Sequence, residues 1–306
     1  MQRRRAVIGF AIAMLAGRAH AVFLLLDAGQ RRAYDLYRSA ASGSTEALEE
    51  LRAKANEGDR WAALQFGYLH HTGRAPKVGK DIKVAMKAYR IACKLPGDAT
   101  AITGNSLAAY NMGLIYLYGE DGVKIDATEA VRWLQAAAGD ESHVLVHAAM
   151  NLANLYEFGY DNVARDAAES LRWYRVAAAR NEAYALYKLG RCLMEGIGTA
   201  PNTVDGKLKL NAAAELWSLP AMEYLAMQAM AGKGLQDKNP AEAAKWLLIA
   251  AEGDPRYGGA ANARLPKLPK DQQEKTRQAA RAWIRGHTKV PQQNDYKLPL
   301  NLDPYR

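Results

Sequence analysis

Two cysteines in 306 residues, Cys93 and Cys192, are too few for a disulfide-built scaffold. Phenylalanine occurs only four times, so the core has to be made of other side chains. Neither sign of charge dominates. Beyond residue 21 there are 37 basic and 32 acidic residues, a net of +5, and the two signs are interspersed. That mixture marks a solvated surface and makes no case for a nucleic-acid partner. What the chain does have is alanine, which supplies much of the 49% hydrophobic content and suits closely packed helices. A chain of this length exceeds one typical compact core, so two domains or a repeat array are expected.

The N-terminus reads separately from the rest. Arg3, Arg4 and Arg5 precede an uncharged apolar stretch from Ala6 to Ala16, and Ala19-His20-Ala21 places small residues where a signal peptidase reads. The expectation is a signal peptide over 1–21 and a periplasmic or secreted protein; the alternative is an uncleaved inner-membrane anchor. Arg18 and His20 interrupt any longer apolar helix. The arginines leave general secretory and twin-arginine export both open.

From there a pattern recurs. Phe66-Gly67, Met112-Gly113, Leu152-Ala153, Leu189-Gly190 and Leu225-Ala226 each pair a large apolar residue with a small one. Six residues after each small residue stands Gly73, Gly119, Gly159, Gly196 or Gly232. Twenty residues after four of them stands Trp133, Trp173, Leu210 or Trp246, with Tyr89 after twenty-two in the first unit; alanine-rich runs follow. Seven residues before these large side chains, Asp126, Asp166, Thr203 and Asn239 are helix N-cap residue types, and Glu129, Glu169 and Glu242 complete capping boxes. The spacing therefore predicts an all-α array of antiparallel helix pairs. In each pair the small residue lets the second helix approach, and the later glycine ends the first helix. The expected organisation is N-terminal capping helices over 22–57, five repeats over 58–254, a C-terminal capping pair over 255–286 and an extended tail over 287–306. Stacked units would hold Cys93 and Cys192 too far apart to bond, so both read as small buried residues.

The stretches "MGLIYLYG", "LANLYEFG", "LGRCLMEGIG", "EAVRWLQAAAGD" and "AAKWLLIAAEGD" resemble the Sel1-like repeats, relatives of tetratricopeptide repeats. The resemblance covers about Gly58 to Asp254. It departs where the family tyrosine is His70, Leu193 or Ala229. It implies a right-handed α/α superhelical solenoid and a non-catalytic scaffold or adaptor of the bacterial cell envelope, with a protein or peptide partner held in a concave groove. A peptidoglycan or glycan binder, or a cell-wall hydrolase, is the alternative. By analogy with the tetratricopeptide relatives, the groove stripe falls three residues before and one and four after each small residue. Its candidates are Leu64, Tyr68 and His71; Tyr110, Leu114 and Leu117; Met150, Asn154 and Glu157; and Tyr187, Arg191 and Met194. Of these, Tyr68, His71, Tyr110, Leu114, Asn154, Glu157, Tyr187 and Arg191 are the expected partner-binding residues.

Catalytic chemistry has little support. His143 and His147 stand four apart, but Val144 occupies the place where a metalloprotease carries its general base, and no third ligand is evident. Gly196-Ile-Gly198 follows no strand, which argues against phosphate binding. No metal, cofactor or catalytic group is expected.

Overall fold

The computed structural model describes residues 28–93, 105–139, 144–232 and 238–289. All regular structure among them is helical. The first elements are α1 (Ala28–Ala41), α2 (Thr45–Asn56), α3 (Arg60–Thr72), α4 (Ile82–Ala92), α5 (Ser106–Tyr118) and α6 (Ala127–Ala138). Next come α7 (Val144–Phe158), α8 (Ala167–Ala178), α9 (Ala183–Glu195), α10 (Thr203–Glu215), α11 (Leu219–Ala231) and α12 (Pro240–Gly253). The last are the short α13 (Gly258–Arg264), flanked by 3₁₀ turns, and α14 (Lys270–Gly286). Among the described residues no helix is long and apolar enough to cross a membrane. The expected cleavage site, His143 and residues 290–306 lie outside the described residues.

The chain forms two compact units. One comprises residues up to Ala148 together with Asp161–Val163; the other comprises Ala149–Tyr160 and everything from Ala164 on. Both are built from antiparallel helix pairs, the α/α solenoid arrangement. The small residue of the first helix works as its spacing implies. A methyl added to Gly67 would lie 2.9 Å from the Tyr89 ring, one added to Gly113 2.8 Å from Leu134, and one added to Gly190 2.8 Å from Leu210. Tyr89, Leu134 and Leu210 are fully buried, each stabilising its pair by roughly 1.5–3 kcal/mol through removal from water.

Each first helix ends where its glycine stands, with φ between 60° and 73° at Gly73, Gly119, Gly159, Gly196 and Gly232. This is the left-handed region that a Cβ disfavours. Each second helix begins on a side-chain cap. Glu129 N–H donates to Asp126 at 3.0 Å, Glu169 N–H to Asp166 at 3.0 Å and Glu242 N–H to Asn239 at 2.9 Å. In the fourth pair the cap is Asn202, which accepts from Asp205 N–H at 3.1 Å, and not Thr203. The loop there is one residue shorter, so helix α10 starts earlier than the spacing suggested. Leu210 consequently shares the register of Leu134, while exposed Lys209 takes the place of Trp133.

Only half of each expected capping box forms. The N-cap N–H donates across to the first helix instead: Asp81 to His70 O, Asp126 to Tyr116 O, Asp166 to Tyr156 O, Asn202 to Leu193 O and Asn239 to Ala229 O, at 2.7–2.9 Å. The acceptor is always the carbonyl at the family tyrosine position. A backbone oxygen serves whatever its side chain, which explains why His70, Leu193 and Ala229 are tolerated there. Freed from the cap, Glu129 accepts from the Trp133 indole at 3.2 Å, and Glu169 and Glu242 pair with Arg172 and Lys245.

Candidate protein-docking face

The predicted groove stripe divides by unit. In the first unit it is sealed. Tyr68, His71, Tyr110 and Leu114 are all buried. The Tyr68 ring lies 5.7 Å from Tyr37, and Tyr110 lies 6.2 Å from His147. His71 is more buried than its neighbour His70. Its ring nitrogens sit 3.1 Å from the Tyr89 hydroxyl and 3.4 Å from Glu120 Oε1. Lys80 donates to the other oxygen of Glu120 at 3.0 Å. Burial alone would push the Glu120 carboxyl up, but the hydrogen bonds and charge of His71 and Lys80 outweigh it and leave it below the ordinary value. Leu64 and Leu117 are core residues.

In the second unit the stripe reaches solvent. Met150 and Asn154 are buried, whereas Glu157, Tyr187, Arg191 and Met194 are half-buried. Glu157, at the end of α7, gathers the cluster. It pairs with Lys188 and stands 3.8 Å from Arg191. The Tyr174 hydroxyl lies 2.5 Å from Glu157 Oε2 and 2.9 Å from Asn154 Oδ1, donating to one or the other. Lys188 is 4% exposed and has the rings of Phe158, Tyr174 and Tyr184 within 5.6–5.8 Å. Burial pulls its pKa down, and Glu157 only partly restores it. The Tyr174 hydroxyl is pushed well up, first by burial and then by the Glu157 charge.

The cluster continues onto α11. Arg191 stands 3.7 Å from Glu195, which accepts from the Tyr224 hydroxyl at 2.9 Å. The rings of Tyr187 and Tyr224 are 6.5 Å apart. Beside Tyr224, Met227 is 61% and Met230 38% exposed. The stripe expected from the sequence ends in the fourth unit and omits both. Counting the same one and four residues from Ala226 gives Met227 and Met230. Lys188, Tyr174 and Tyr224 were not legible that way, because they lie off the stripe and join it only through packing.

Among the described residues no group of three His, Cys, Asp or Glu side chains could hold a metal ion. Cys93 and Cys192 are buried free thiols, and burial pushes Cys93 up to about 12. What the face offers is a fixed set of charges and hydroxyls beside two exposed, adaptable thioethers, which is chemistry for holding a protein surface.

The solved structures similar to this one share its fold. A Sel1 repeat protein from Oxalobacter formigenes is 24% identical, covers 72% of this chain and 83% of its own length, and superposes with a TM-score of 0.58. A protective antigen present in uropathogenic Escherichia coli strains, displaying an SLR fold, is 22% identical with a TM-score of 0.58; the match covers 79% of this chain and 49% of the antigen, so the chain spans about half that protein's length. No curated protein matches the sequence. The Sel1 repeat profile matches residues 26–44, 62–96, 106–139, 146–182, 183–206 and 219–255. The first segment lies in the region read as capping helices. Sel1 repeats are generally protein–protein interaction modules. With six matched segments covering most of the chain and the helix-pair geometry that their markers require, this protein is a member of the Sel1 repeat family.

Proposed function

We propose that the protein is a non-catalytic adaptor of the bacterial cell envelope that binds a partner protein across the exposed face of α9 and α11. The exposure of Met227 and Met230 beside the Arg191–Glu195–Tyr224 network carries this reading. Two large apolar side chains on one helix face gain by leaving water, and methionine adapts to the surface it meets. The ionic groups beside them are held in place by their neighbours and give the contact its orientation and selectivity. Tyr187 and Arg191 belong to this face, and Glu157 anchors it from below. The arginine-rich start and the apolar stretch after it support export to the periplasm.

A photo-crosslinking residue in place of Met227, introduced in cells of the native host, tests the face. The expected result is one discrete adduct that forms from position 227 and not from exposed Ile125 in the first unit. Met230→Asp should abolish the adduct while leaving the melting temperature unchanged. Equal adducts from both positions, or an adduct indifferent to Met230→Asp, would place the partner elsewhere. Protein processed after Ala21 and released by osmotic shock is the expected outcome for localisation.

A further inference from the structure

The interspersing of charge breaks down in one stretch of the first unit, ahead of and along α4. Residues 74–90 carry six basic side chains, Arg74, Lys77, Lys80, Lys83, Lys87 and Arg90, against one acidic, Asp81. Asp81 is taken up as the N-cap, where it accepts from Val84 N–H at 3.0 Å. Lys80 pairs with Glu120 and Asp121, and Lys77 donates to Thr45 Oγ1 at 3.0 Å with Glu46 nearby. Arg74 hydrogen-bonds Tyr37, and Arg90 donates to the Tyr116 hydroxyl at 3.1 Å, which leaves its charge unopposed. Lys83 and Lys87 have no ionic or hydrogen-bonding partner among the described residues.

Other repeats supply a counter-charge at this place. Glu129 pairs with Arg132 at 3.5 Å, Glu169 with Arg172 at 2.9 Å and Glu242 with Lys245 at 2.7 Å, three residues apart each time. In α4 the two places are Val84 and Lys87, so the cation is kept and the carboxylate is gone. The exposed residues of α4 are Lys83, Lys87 and Arg90, and all three are basic. Counted from Tyr89 and Leu134, which close on Gly67 and Gly113, the same places in α6 are Thr128, Arg132 and Gln135. Packing of the repeat therefore does not require three cations there.

The three side chains span roughly 10 Å of helix and lie within about 60° of one another around its axis. A convex ridge of cations suits a flat anionic surface. It offers little to a nucleic acid beyond charge. Tyr89, the one aromatic of α4, is fully buried, so no ring is presented for base stacking, and no Asn or Gln stands on the face to read a base edge. The arginines of α14 make the contrast. Arg277, Arg281 and Arg285 share that helix with exposed Asp271 and Glu274, and Lys275 stands 3.4 Å from Asp271.

From the missing carboxylate and the unpaired cations, we propose that α4 docks the protein against an anionic phospholipid surface, with Lys83, Lys87 and Arg90 meeting headgroup phosphates. Phosphate oxygens accept from ammonium and guanidinium N–H groups. The negative potential of such a surface favours each basic side chain beside it by about fivefold in partition. No large apolar side chain stands exposed on α4, so the contact is peripheral and loosens as salt rises. This surface is distinct from the face of α9 and α11, and its test does not depend on the partner protein.

Amine footprinting of the full-length chain tests the contact, with vesicles of phosphatidylcholine alone or mixed with phosphatidylglycerol. On the anionic vesicles Lys83 and Lys87 should be acetylated about tenfold more slowly, while Lys209 and Lys270, exposed in the second unit, keep their rates. Neutral vesicles should protect none of the four, and salt at about 1 M should restore the rates at Lys83 and Lys87. Because protection is read at single lysines, anchoring through the N-terminus would not imitate it. Lys87→Gln with Arg90→Gln should raise the anionic lipid needed to protect Lys83 about twenty-fivefold. Arg277→Gln with Arg281→Gln removes the same charge from α14 and should change that requirement less than about twofold. Unchanged rates at Lys83 and Lys87, protection by neutral vesicles, uniform protection of all four lysines, or equal effects of the two double variants would overturn the proposal. So would equal protection by a DNA duplex at matched phosphate, which would make the ridge a site for any polyanion.

Discussion

The two units set the same problem and solve it differently. Each holds a buried basic side chain against a carboxylate. In the first unit the base is His71, with Glu120 beside it and half-exposed Lys80 completing the pairing. In the second it is Lys188, with Glu157 as its paired carboxylate and three aromatic rings around it. An ammonium buried in a core has to be paired or stripped of its proton. The second cluster therefore depends on its carboxylate more than the first, whose Glu120 also pairs with the half-exposed Lys80. The unit whose buried cation depends on a partner is also the one whose stripe stays open to solvent.

Removing each carboxylate tests that asymmetry. Glu157→Gln should destabilise the second unit by about 3–5 kcal/mol in denaturant melts, because a buried charge is left unpaired. Adding Lys188→Met should recover most of the loss. A cost below about 1 kcal/mol would mean that Lys188 gives up its proton and that the two clusters are alike.

The helix contacts differ as well. A methyl on Gly190 meets the Gly206 carbonyl at 2.9 Å, and backbone cannot swing aside. One on Gly113 meets Leu134 Cγ at 2.8 Å and Cδ2 at 2.9 Å, with the nearest backbone atom, Ala130 O, at 3.4 Å. Gly190→Ala should cost about 2 kcal/mol and Gly113→Ala less than about 1 kcal/mol. Equal losses would show that Leu134 is as immovable as backbone.

Another small effect is expected at Glu120. Its folded-state carboxyl lies below the ordinary value, so its contribution is present above that value and is lost as pH falls through the lowered one. Glu120→Gln should cost about 1 kcal/mol at neutral pH and less in acid, flattening the stability profile as pH falls below the ordinary carboxylate range. A profile parallel to wild type would remove Glu120 from the acid response.

The spacing of small residues, glycines and caps determined the helix pairs, their ends and their close approach. These depend on backbone geometry and repeat at a fixed interval, so one chain displays them five times over. The register of α10 escaped, because both Asn202 and Thr203 are competent caps and only the loop length chooses between them. The stripe on the first helices was legible as positions but not as a surface. Whether Tyr68 or Met227 meets solvent depends on which side chains arrive from neighbouring elements: Tyr37 comes to cover Tyr68, while Met227 stays 61% exposed. The Glu157–Lys188–Tyr174 cluster joins residues up to thirty-one positions apart from three helices. Periodicity along one helix carries no record of what packs across from it, and for that reason the tertiary structure alone decided the candidate site.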